Sequence, residues 1–265
     1  MQNQWALITG ASSGIGFEYA KVLGERKYNL VIVSNEQQTI QEKGQWLKEE
    51  YKIEVFPVYL DLALPGAARQ LYAYCQEKSL EVEVLINNAG MFYFGEVLDQ
   101  KSAQVEKMVL LHLLTPTMLC RLFGADMKKR GRGYILNMSS MSAWLPYPGI
   151  ALYASTKRYL KSFSRAFRSE LYGSGVSVTT LCPGGVATNL YHLSERMQKL
   201  AIRLGFMMRP GKLARKGIRA MFRERAMRMP GFLNHLFLPL LLLLPAGFVR
   251  WTMRKSGLLP KTNQK

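Results

Sequence analysis

The sequence contains little cysteine and no leader-like start. Its three cysteines, Cys75, Cys120 and Cys182, are widely spaced and odd in number. They fit neither a disulfide framework nor a zinc site, so we expect no metal and a reducing compartment. The N-terminus lacks a basic stretch followed by an apolar one, so we expect no signal peptide and a cytoplasmic protein.

Acidic residues are scarce in the last quarter of the chain, which accounts for most of the net charge of +18. Residues 1–190 contain 20 Lys and Arg against 16 Asp and Glu, whereas residues 191–265 contain 16 against 2. The basic excess therefore belongs to the final segment and does not describe the whole chain. Since no recognised nucleic-acid motif accompanies this charge, we predict no nucleic-acid partner.

Internal repeats and low-complexity linkers are also missing, and 48% hydrophobic with 20% charged residues is typical of a globular chain. Short, nearly continuous apolar runs alternate with helical stretches, which predicts parallel strands covered by helices on both faces. We therefore predict an α/β fold of the Rossmann type, a doubly wound parallel sheet of six or seven strands with a helical C-terminal extension. The predicted strands are 5–9, 29–33, 54–59, 82–86, 133–138 and 176–182, with a short edge strand within 225–231.

A glycine-rich turn follows the first predicted strand and reads Thr-Gly-Ala-Ser-Ser-Gly-Ile-Gly over residues 9–16. Glycine lets the backbone turn sharply and approach a ligand, and the next helix directs free N–H groups and its positive dipole end at a phosphate. The turn predicts a dinucleotide site, although its G-x-x-x-G-x-G spacing differs from G-x-G-x-x-G. An ordinary tight turn between strand and helix is the alternative.

Tyr153 and Lys157 lie four residues apart at the start of a helix that we predict to run to about Tyr172. Side chains at i and i+4 share a helix face, and a nearby cation should lower the pKa of the phenol from about 10. Tyr153 is therefore a candidate proton donor and acceptor near neutral pH. The same pairing also arises by chance on many helix surfaces.

In combination, these motifs resemble those of the short-chain dehydrogenase/reductase family, and most closely bacterial members related to hydroxysteroid, 3-ketosphinganine and 3-ketoacyl reductases. The resemblance extends from about Ala6 to Thr188 and implies an oxidoreductase that uses a nicotinamide cofactor. It also favours a homodimer or homotetramer formed through the long helices around His112 and Tyr153. Its motifs are the glycine turn, Asn87-Asn88-Ala89-Gly90, Ser140 placed 13 positions before Tyr153, and Pro183-Gly184-Gly185-Val186-Ala187-Thr188.

The resemblance also implies catalytic roles. Tyr153 would exchange a proton with the carbonyl or hydroxyl oxygen of the substrate, Ser140 would donate a hydrogen bond to that oxygen, and Lys157 would hold the nicotinamide ribose. The implied cofactor-binding residues are Gly10, Ser12, Ser13, Gly14, Ile15, Gly16, Ser34, Asn35, Asp61, Leu62, Asn87, Ala89, Gly90, Tyr153, Lys157, Pro183, Gly184, Val186 and Thr188.

Some of these residues also have simpler local interpretations. Asp61 could be a helix N-cap, Thr188 could be a local cap, and Asn87 could be a turn residue. One of Ser139 and Ser140 could satisfy backbone groups at the strand end, and we assign the catalytic role to Ser140.

His112 departs from the family pattern, and we include it among the catalytic candidates. Many members have at this place an Asn that fixes a water in a proton relay reached through the Lys. A neutral imidazole can donate from one nitrogen and accept at the other, so His112 could hold the same water. Alternatively, it is a buried histidine bonded to a backbone carbonyl. Pro116, in the same predicted helix, should kink it.

Cofactor choice is predicted from the end of the second strand. A site for NAD usually places an acid there for the ribose 2′-hydroxyl, whereas a site for NADP places a basic residue near the 2′-phosphate. Ser34 and Asn35 are neutral donors, and Glu36 could instead begin the next helix. Since an acid is missing at Ser34, the sequence favours NADP(H) over NAD(H).

The C-terminal segment, 191–265, is predicted to be a basic, hydrophobic, helical lid over the substrate, attached to a dinucleotide-binding core of residues 1–190. It contains Met- and Leu-rich residues at 197–208, basic residues at 212–228 and an apolar run at 232–249. The flexible Met side chains suit an adaptable apolar pocket, and core packing is the alternative. The apolar run, interrupted by Asn234, His235, Pro239 and Pro245, suits a helix lying on an anionic membrane surface. A transmembrane span, a buried lid and a dimer contact are the alternatives.

These features together predict an NAD(P)(H)-dependent oxidoreductase that acts on the ketone or secondary alcohol of a lipophilic small molecule of the steroid, sphingoid or long-chain acyl type. We expect it in the cytoplasm, either free or peripheral on the inner face of the membrane. A non-catalytic nucleotide-binding scaffold at the membrane surface is the alternative, and an epimerase or dehydratase of the same fold is a third hypothesis.

Overall fold

A parallel sheet of seven strands forms the centre of the computed structural model, which describes residues 4–188 and 194–255. The strands in chain order are β1 (Trp5–Thr9), β2 (Asn29–Ser34), β3 (Val55–Tyr59), β4 (Val82–Asn87), β5 (Gly133–Met138), β6 (Val176–Leu181), β7 (Gly185–Val186), β8 (Met207–Met208) and β9 (Met227–Arg228). The sheet has the order β3-β2-β1-β4-β5-β6-β9, and β7 pairs separately with β8. This is the doubly wound α/β fold that the sequence predicts, and β9 confirms the predicted short edge strand.

The strands are parallel throughout the sheet, because each helical crossover returns the chain to the end of the sheet at which the previous strand began. The helices are α1 (Gly14–Glu25), α2 (Gln37–Tyr51), α3 (Ala67–Glu77), α4 (Ser102–Val109), α5 (Thr115–Arg130), α6 (Ala151–Glu170), α7 (Glu195–Arg203), α8 (Pro210–Phe222), α9 (Phe232–Leu243) and α10 (Ala246–Lys255).

Two apolar layers bury the two faces of the sheet. On one face, side chains of α1, α2 and α8, such as Leu23, Leu47 and Ile218, pack on alternate strand residues. On the other face, side chains of α3 and α5, such as Leu71 and Phe123, pack on the remaining ones. Every residue of β1 is buried, which explains its continuous apolar sequence.

Proline at position 57 is compatible with its strand because β3 lies at the edge of the sheet. β3 pairs only with β2, in a register that places Pro57 opposite Ile32. A residue without an N–H group is tolerated there, since one side of an edge strand has no partner strand.

Residues 102–130 form one helical stretch that contains a single π turn at Leu110–Leu114, between α4 and α5. We predicted a kink at Pro116. The structure places Pro116 in the first turn of α5, directly after the π turn, so the regular α-helical hydrogen bonding is interrupted immediately before it. This stretch is long and apolar enough to cross a membrane. In the structure it packs on the sheet as a core helix, and about 44% of its most apolar part is buried.

The C-terminal segment packs α8 on one face of the sheet and adds β9 at its edge. The predicted boundary at residue 190 lies outside the described residues, and the segment resumes at Ser194. Its apolar run forms α9 and α10, whose axes differ by 107°. Leu238 of α9 packs with Leu145, Cys182 and Met229 in a small apolar cluster of its own.

Candidate active site

A crevice of about 540 Å³ opens at the carboxyl ends of the central strands. Its position is the topological switch point between β1 and β4, from which the chain winds toward opposite edges of the sheet. The crevice contains eighteen of the twenty-one residues that we predicted for catalysis or cofactor binding; Gly16, Asn87 and His112 lie outside its lining. The lining also includes residues to which we had assigned no role, namely Glu36, Leu60, Asn88, Met91, Leu111, Met138, Ser139 and Ala187.

The glycine turn brings the backbone close to the opposite wall of the crevice. Gly10 and Gly14 have φ angles of +66° and +55°, a region that favours glycine. A Cβ atom on Gly10 would lie 2.9 Å from the Cα atom of Ala89, and one on Gly14 would lie 3.4 Å from Cγ2 of Thr188. The turn is therefore shaped by contact with two neighbouring segments and leaves room beside it for a ligand backbone or phosphate.

Gly16 has a packing role. A Cβ atom at this position would overlap the carbonyl oxygen of Gly10, so glycine is required for the close approach of α1 to the turn. The first N–H groups of α1, which begins at Gly14, have no acceptor within the helix, and Ser13 makes no side-chain cap hydrogen bond to them. Since Ser13, Gly14 and Ile15 all line the crevice, these donors and the positive end of the helix dipole are suited to a phosphate.

Two asparagines at the end of β4 have different functions, Asn87 as the last residue of the strand and Asn88 directly after it. The amide of Asn87 is buried and donates to Oδ1 of Asn137 at 2.8 Å, so it joins β4 to β5. Asn88 lines the crevice, and its amide donates to the carbonyl oxygens of Thr9 and Gly10 at 3.0 and 3.2 Å. Asn88 therefore holds the start of the glycine turn, a function that we did not assign from the sequence.

Ser140, Tyr153 and Lys157 lie together in the crevice. Ser140 follows β5, and its hydroxyl oxygen accepts a hydrogen bond from the backbone N–H of Ser142 at 3.1 Å. That bond leaves the hydroxyl proton of Ser140 available for a substrate oxygen. The neighbouring Ser139 donates its own proton to the carbonyl oxygen of Lys157 at 2.7 Å, so its hydroxyl supports α6.

Lys157 is fully buried next to the Tyr153 ring. Its ammonium donates to the carbonyl oxygen of Met138 at 3.1 Å and lies 5.6 Å from the ring centroid of Tyr153. Burial disfavours the charged form and lowers the pKa of Lys157 from 10.5 to about 8. The lowering of the Tyr153 pKa that we inferred from this neighbour stays a prediction.

His112 occupies the π turn behind the crevice, with none of its side chain exposed. Its Nε2 atom accepts a hydrogen bond from the backbone N–H of Met91 at 3.0 Å, and its Nδ1 atom lies 2.9 Å from the hydroxyl oxygen of Thr156. Burial, together with the charge of Lys157, lowers the pKa of His112 well below 6.5. Of the two alternatives from the sequence, this placement favours the buried, internally bonded histidine, although its backbone partner is an N–H group.

Residues where the crevice meets the ends of β2 and β3 are held by local hydrogen bonds. The hydroxyl of Ser34 donates to Oγ of Ser12 at 2.9 Å and accepts from the backbone N–H of Glu36 at 3.1 Å. Asp61 accepts from the backbone N–H of Ala63 at 2.9 Å in the turn before α3, and Gly66 is the N-cap of that helix, so Asp61 is not the helix N-cap that we had considered. Asn35 and Glu36 are exposed at the rim, so Glu36, which precedes α2, is the acidic group beside the predicted ribose position.

Comparison with known proteins gives a consistent result. Residues 4–199 match the family model described as short chain dehydrogenase. The very-long-chain 3-oxoacyl-CoA reductase of Rattus norvegicus is 32% identical over 192 residues, which are 71% of this chain. The match spans 61% of the length of that relative.

Solved structures show the same fold over nearly the whole chain. A short-chain dehydrogenase from Sphingobium yanoikuyae in complex with NADPH superimposes with a TM-score of 0.78 at 24% identity, covering 99% of this chain and 98% of that one. The bulky-bulky ketone specific alcohol dehydrogenase from Comamonas testosteroni gives a TM-score of 0.75 at 25% identity, covering 98% and 96%.

Proposed function

The chain belongs to the short-chain dehydrogenase/reductase family, and from this membership we propose an oxidoreductase that transfers hydride between NADP(H) and a lipophilic ketone or secondary alcohol. The observation that carries the proposal is the convergence of Ser140, Tyr153 and Lys157 in one crevice with the glycine turn. The crevice suits a dinucleotide, because the glycine turn lines it and the N-terminus of α1 offers donors for phosphate.

The side chains have complementary tasks in ketone reduction. Bound nicotinamide nucleotide supplies the hydride that adds to the carbonyl carbon. Ser140 donates a hydrogen bond to the carbonyl oxygen and stabilises the negative charge that develops there. Tyr153 delivers its hydroxyl proton to the same oxygen, so that the product is an alcohol, and Lys157 holds the ribose and stabilises the phenolate that remains. In the oxidative direction, Tyr153 accepts the proton.

NADP(H) is the proposed cofactor in preference to NAD(H). The position that usually carries an acid for the ribose 2′-hydroxyl is occupied by Ser34, which is neutral and bonded to Ser12. The similar structure from Sphingobium yanoikuyae is described as a complex with NADPH. Glu36 at the rim is the feature that opposes this preference, and its effect is measurable by substitution.

A long-chain acyl ketone is the substrate class with the most support among the three that the sequence suggests. The crevice has apolar walls beside the reactive groups, which include Met91, Leu111, Met138 and Val186. The Rattus norvegicus relative is named as a very-long-chain 3-oxoacyl-CoA reductase, and the Comamonas testosteroni structure as an enzyme for bulky ketones. We therefore propose a 3-oxoacyl group as the preferred substrate.

The proposed location is the cytoplasm, with the C-terminal segment bound to the inner face of an anionic membrane. Helices α9 and α10 expose large apolar side chains, including Phe232, Leu243 and Trp251, the first two at 80% and 78% exposure. Arg250 and Lys255 are exposed on α10, where they can meet anionic headgroups. Such an arrangement would bring the enzyme close to a substrate that partitions into lipid.

The proposed assembly is a homodimer or homotetramer formed through the helices around His112 and Tyr153. Leu114 and Tyr159 are exposed on these helices, and the rings of Tyr159, Phe163 and Phe167 stack in a row along α6. A surface of this kind is suited to a helix–helix interface. Sedimentation velocity of the wild type and of Tyr159→Glu tests it, and a monomeric wild type would contradict the assembly.

Oxidation of NADPH, followed by absorbance with a panel of long-chain 3-oxoacyl thioesters, bulky ketones and small sugars, tests the activity. We expect stoichiometric consumption with the hydrophobic ketones, which an epimerase or dehydratase would not show. Tyr153→Phe should lower kcat by roughly a thousandfold or more and keep cofactor binding, because it removes only the transferable proton. Turnover of a sugar but of no hydrophobic ketone would refute the substrate class, and NADPH binding without any turnover would favour the scaffold hypothesis.

A further inference from the structure

A second cleft, of about 610 Å³, adjoins the catalytic crevice on the side of the C-terminal segment. The two share Pro183 and Gly184, so they border each other along this edge. Gly184 allows the close packing here, because a Cβ atom on it would overlap the side chain of Asn234 at the start of α9. The amide of Asn234 in turn donates to the carbonyl oxygen of Pro230 at 2.6 Å, which fixes the wall of the cleft.

Apolar side chains form most of the inner surface of this cleft. Ile202 and Phe206 come from the end of α7 and the loop after it, Met207 from β8, and Phe232 and Leu233 from the start of α9. Phe206 and Phe232 are themselves largely exposed, at 56% and 80%. An apolar surface that stays open to solvent is suited to an apolar or partly apolar ligand.

Three cations stand at one side of the cleft. Arg209 is the residue at the N-cap position of α8, and Lys212 and Lys216 follow, with one helical turn between them on the same face of the helix. Within the described residues, the ion pairs that form do not involve any of the three. The neighbouring carboxylate of Glu18 lies beside Gly211 and pairs with Lys21 on α1.

This concentration of charge has a cost that a ligand would offset. Like charges at i and i+4 on a helix repel each other, and the N-terminus of α8 adds the positive end of a helix dipole. A phosphate group between them would be held by several charge-assisted hydrogen bonds. The combination of an apolar floor and a cationic side fits a molecule with an apolar arm and phosphate groups.

The geometry points to this cleft as the binding site for the phosphate-bearing carrier of an acyl thioester. The phosphates bind at Arg209, Lys212 and Lys216, the linear arm of the carrier lies on the apolar floor, and the 3-oxo group reaches Ser140 and Tyr153 across the shared edge at Gly184. The assignment rests on the proposed reduction of a 3-oxoacyl group. What it adds is the site at which the protein distinguishes a coenzyme A thioester from the same acyl group on a neutral carrier.

Kinetics with two thioesters of the same 3-oxoacyl chain test this assignment, one on coenzyme A and one on N-acetylcysteamine, which has no phosphate. We expect the double variant Lys212→Glu/Lys216→Glu to raise KM for the coenzyme A thioester by at least tenfold. Its kcat, and both constants for the N-acetylcysteamine thioester, should stay within twofold of wild type. Added salt should raise KM for the coenzyme A thioester in wild type and much less in the variant.

The matched control is Arg219→Glu/Arg223→Glu, which reverses two exposed charges on α8 and at its C-terminal end, outside both clefts. It should leave KM for the coenzyme A thioester within twofold of wild type. Equal losses in both double variants would mean a general charge effect and overturn the assignment. Unchanged thermal unfolding and NADPH binding show that each variant is folded.

The remaining outcomes separate the site from the activity. Equal losses with both thioesters in the Lys212→Glu/Lys216→Glu variant would overturn the carrier site, since the neutral carrier has no phosphate to lose. Reduced binding to vesicles with 30% phosphatidylserine, with KM unchanged, would assign the cations to lipid headgroups and also overturn it. If wild type reduces neither thioester, the proposed 3-oxoacyl substrate itself fails. Titration with coenzyme A alone then still tests the site, and we expect the Lys212→Glu/Lys216→Glu variant to weaken the Kd for coenzyme A at least tenfold.

Discussion

The Nδ1 atom of His112 lies 2.9 Å from the hydroxyl oxygen of Thr156, and this contact links the π turn to the catalytic helix α6. Thr156 donates its only hydroxyl proton to the carbonyl oxygen of Tyr153 at 2.7 Å, so it must accept from His112. The imidazole is therefore the neutral Nδ1–H tautomer, whose Nε2 accepts from Met91. His112 thus positions the backbone of both Tyr153 and the loop after β4, and has no ring nitrogen left for a relay water.

Replacing His112 by Asn should change how stability depends on pH. In wild type the pKa of His112 is lowered in the folded state, so below about 6.5 the unfolded chain binds a proton that the folded chain does not. Stability is lost as the pH falls, by about 2 kcal/mol at pH 5 when protonation of the folded form is fully suppressed. The Asn variant lacks this loss, although it should be less stable at pH 7 by about 1–3 kcal/mol.

Urea unfolding of both proteins from pH 7 to pH 5 measures this effect. The difference in unfolding free energy between wild type and His112→Asn should narrow by about 2 kcal/mol over that range. A constant difference would show that His112 ionises normally in the folded protein. Since His112 stays neutral in the folded protein, the pH profiles of kcat for wild type and His112→Asn should show the same ionisation steps.

Lys157→Met should stabilise the cofactor-free protein while abolishing its activity. A pKa of about 8 in the folded state, against 10.5 when exposed, means that holding the charge below pH 8 costs up to about 3 kcal/mol. The cost fades as the pH rises from 8 to 10.5, so wild type should gain stability relative to the variant over that range. Thermal unfolding between pH 7 and pH 10 measures both effects.

The control for that substitution is Lys161→Met, one turn further along α6. The ammonium of Lys161 lies over the ring of Trp144 at 3.9 Å, outside the crevice, so its loss should leave turnover within a fewfold of wild type. Burial lowers the pKa of Lys161 as well, but the side chain is only half-buried, so the gain in stability should be smaller than that of Lys157→Met. A lower melting temperature for Lys157→Met than for wild type at pH 7 would contradict the interpretation of Lys157 as a strained buried charge.

The sheet and the catalytic groups were predictable because each is encoded by local pattern. Continuous apolar runs such as that of β1 require burial on both faces, and a four-residue spacing on a helix places Lys157 beside Tyr153. From the sequence we assigned Asn87 to the cofactor site, whereas the structure places Asn88 in the lining of the crevice and Asn87 outside it. Successive side chains at a strand end point to opposite faces, so the outcome depends on where the strand ends, which the sequence does not define to one residue.

Other features depend on contacts between distant segments and have no local signal. The π turn at Leu110–Leu114 places His112 against Met91 and Thr156, residues 21 and 44 positions away. Gly16 is an intermediate case. The motif predicts a glycine at this position, but only the structure shows that the reason is close packing against the carbonyl oxygen of Gly10.

Glu36→Gln should increase the preference for NADPH over NADH. Glu36 is exposed at the rim of the crevice beside Ser34 and Asn35, where its carboxylate repels a 2′-phosphate. Removing the charge should lower KM for NADPH by about threefold to tenfold and leave KM for NADH unchanged or higher. Glu42→Gln, on the exposed part of α2 outside the crevice, is the control. Equal changes with both cofactors would show that Glu36 does not contact this end of the nucleotide.

Leu240→Asp/Leu243→Asp should weaken binding to anionic membranes. Both leucines are exposed on α9, and inserting each of them into a bilayer interface contributes about 1–2 kcal/mol, so the double variant should lose at least tenfold in binding to vesicles that contain 30% phosphatidylserine.

Leu64→Asp/Leu98→Asp is the matched control, because these leucines are exposed at 52% and 96% but lie far along the chain from the C-terminal segment. Co-sedimentation with anionic and neutral vesicles separates the apolar from the electrostatic contribution. Since α9 also borders the second cleft at Asn234, the activity with both thioesters should be measured for the same variants. Equal vesicle binding by the two double variants would rule out α9 as the membrane contact.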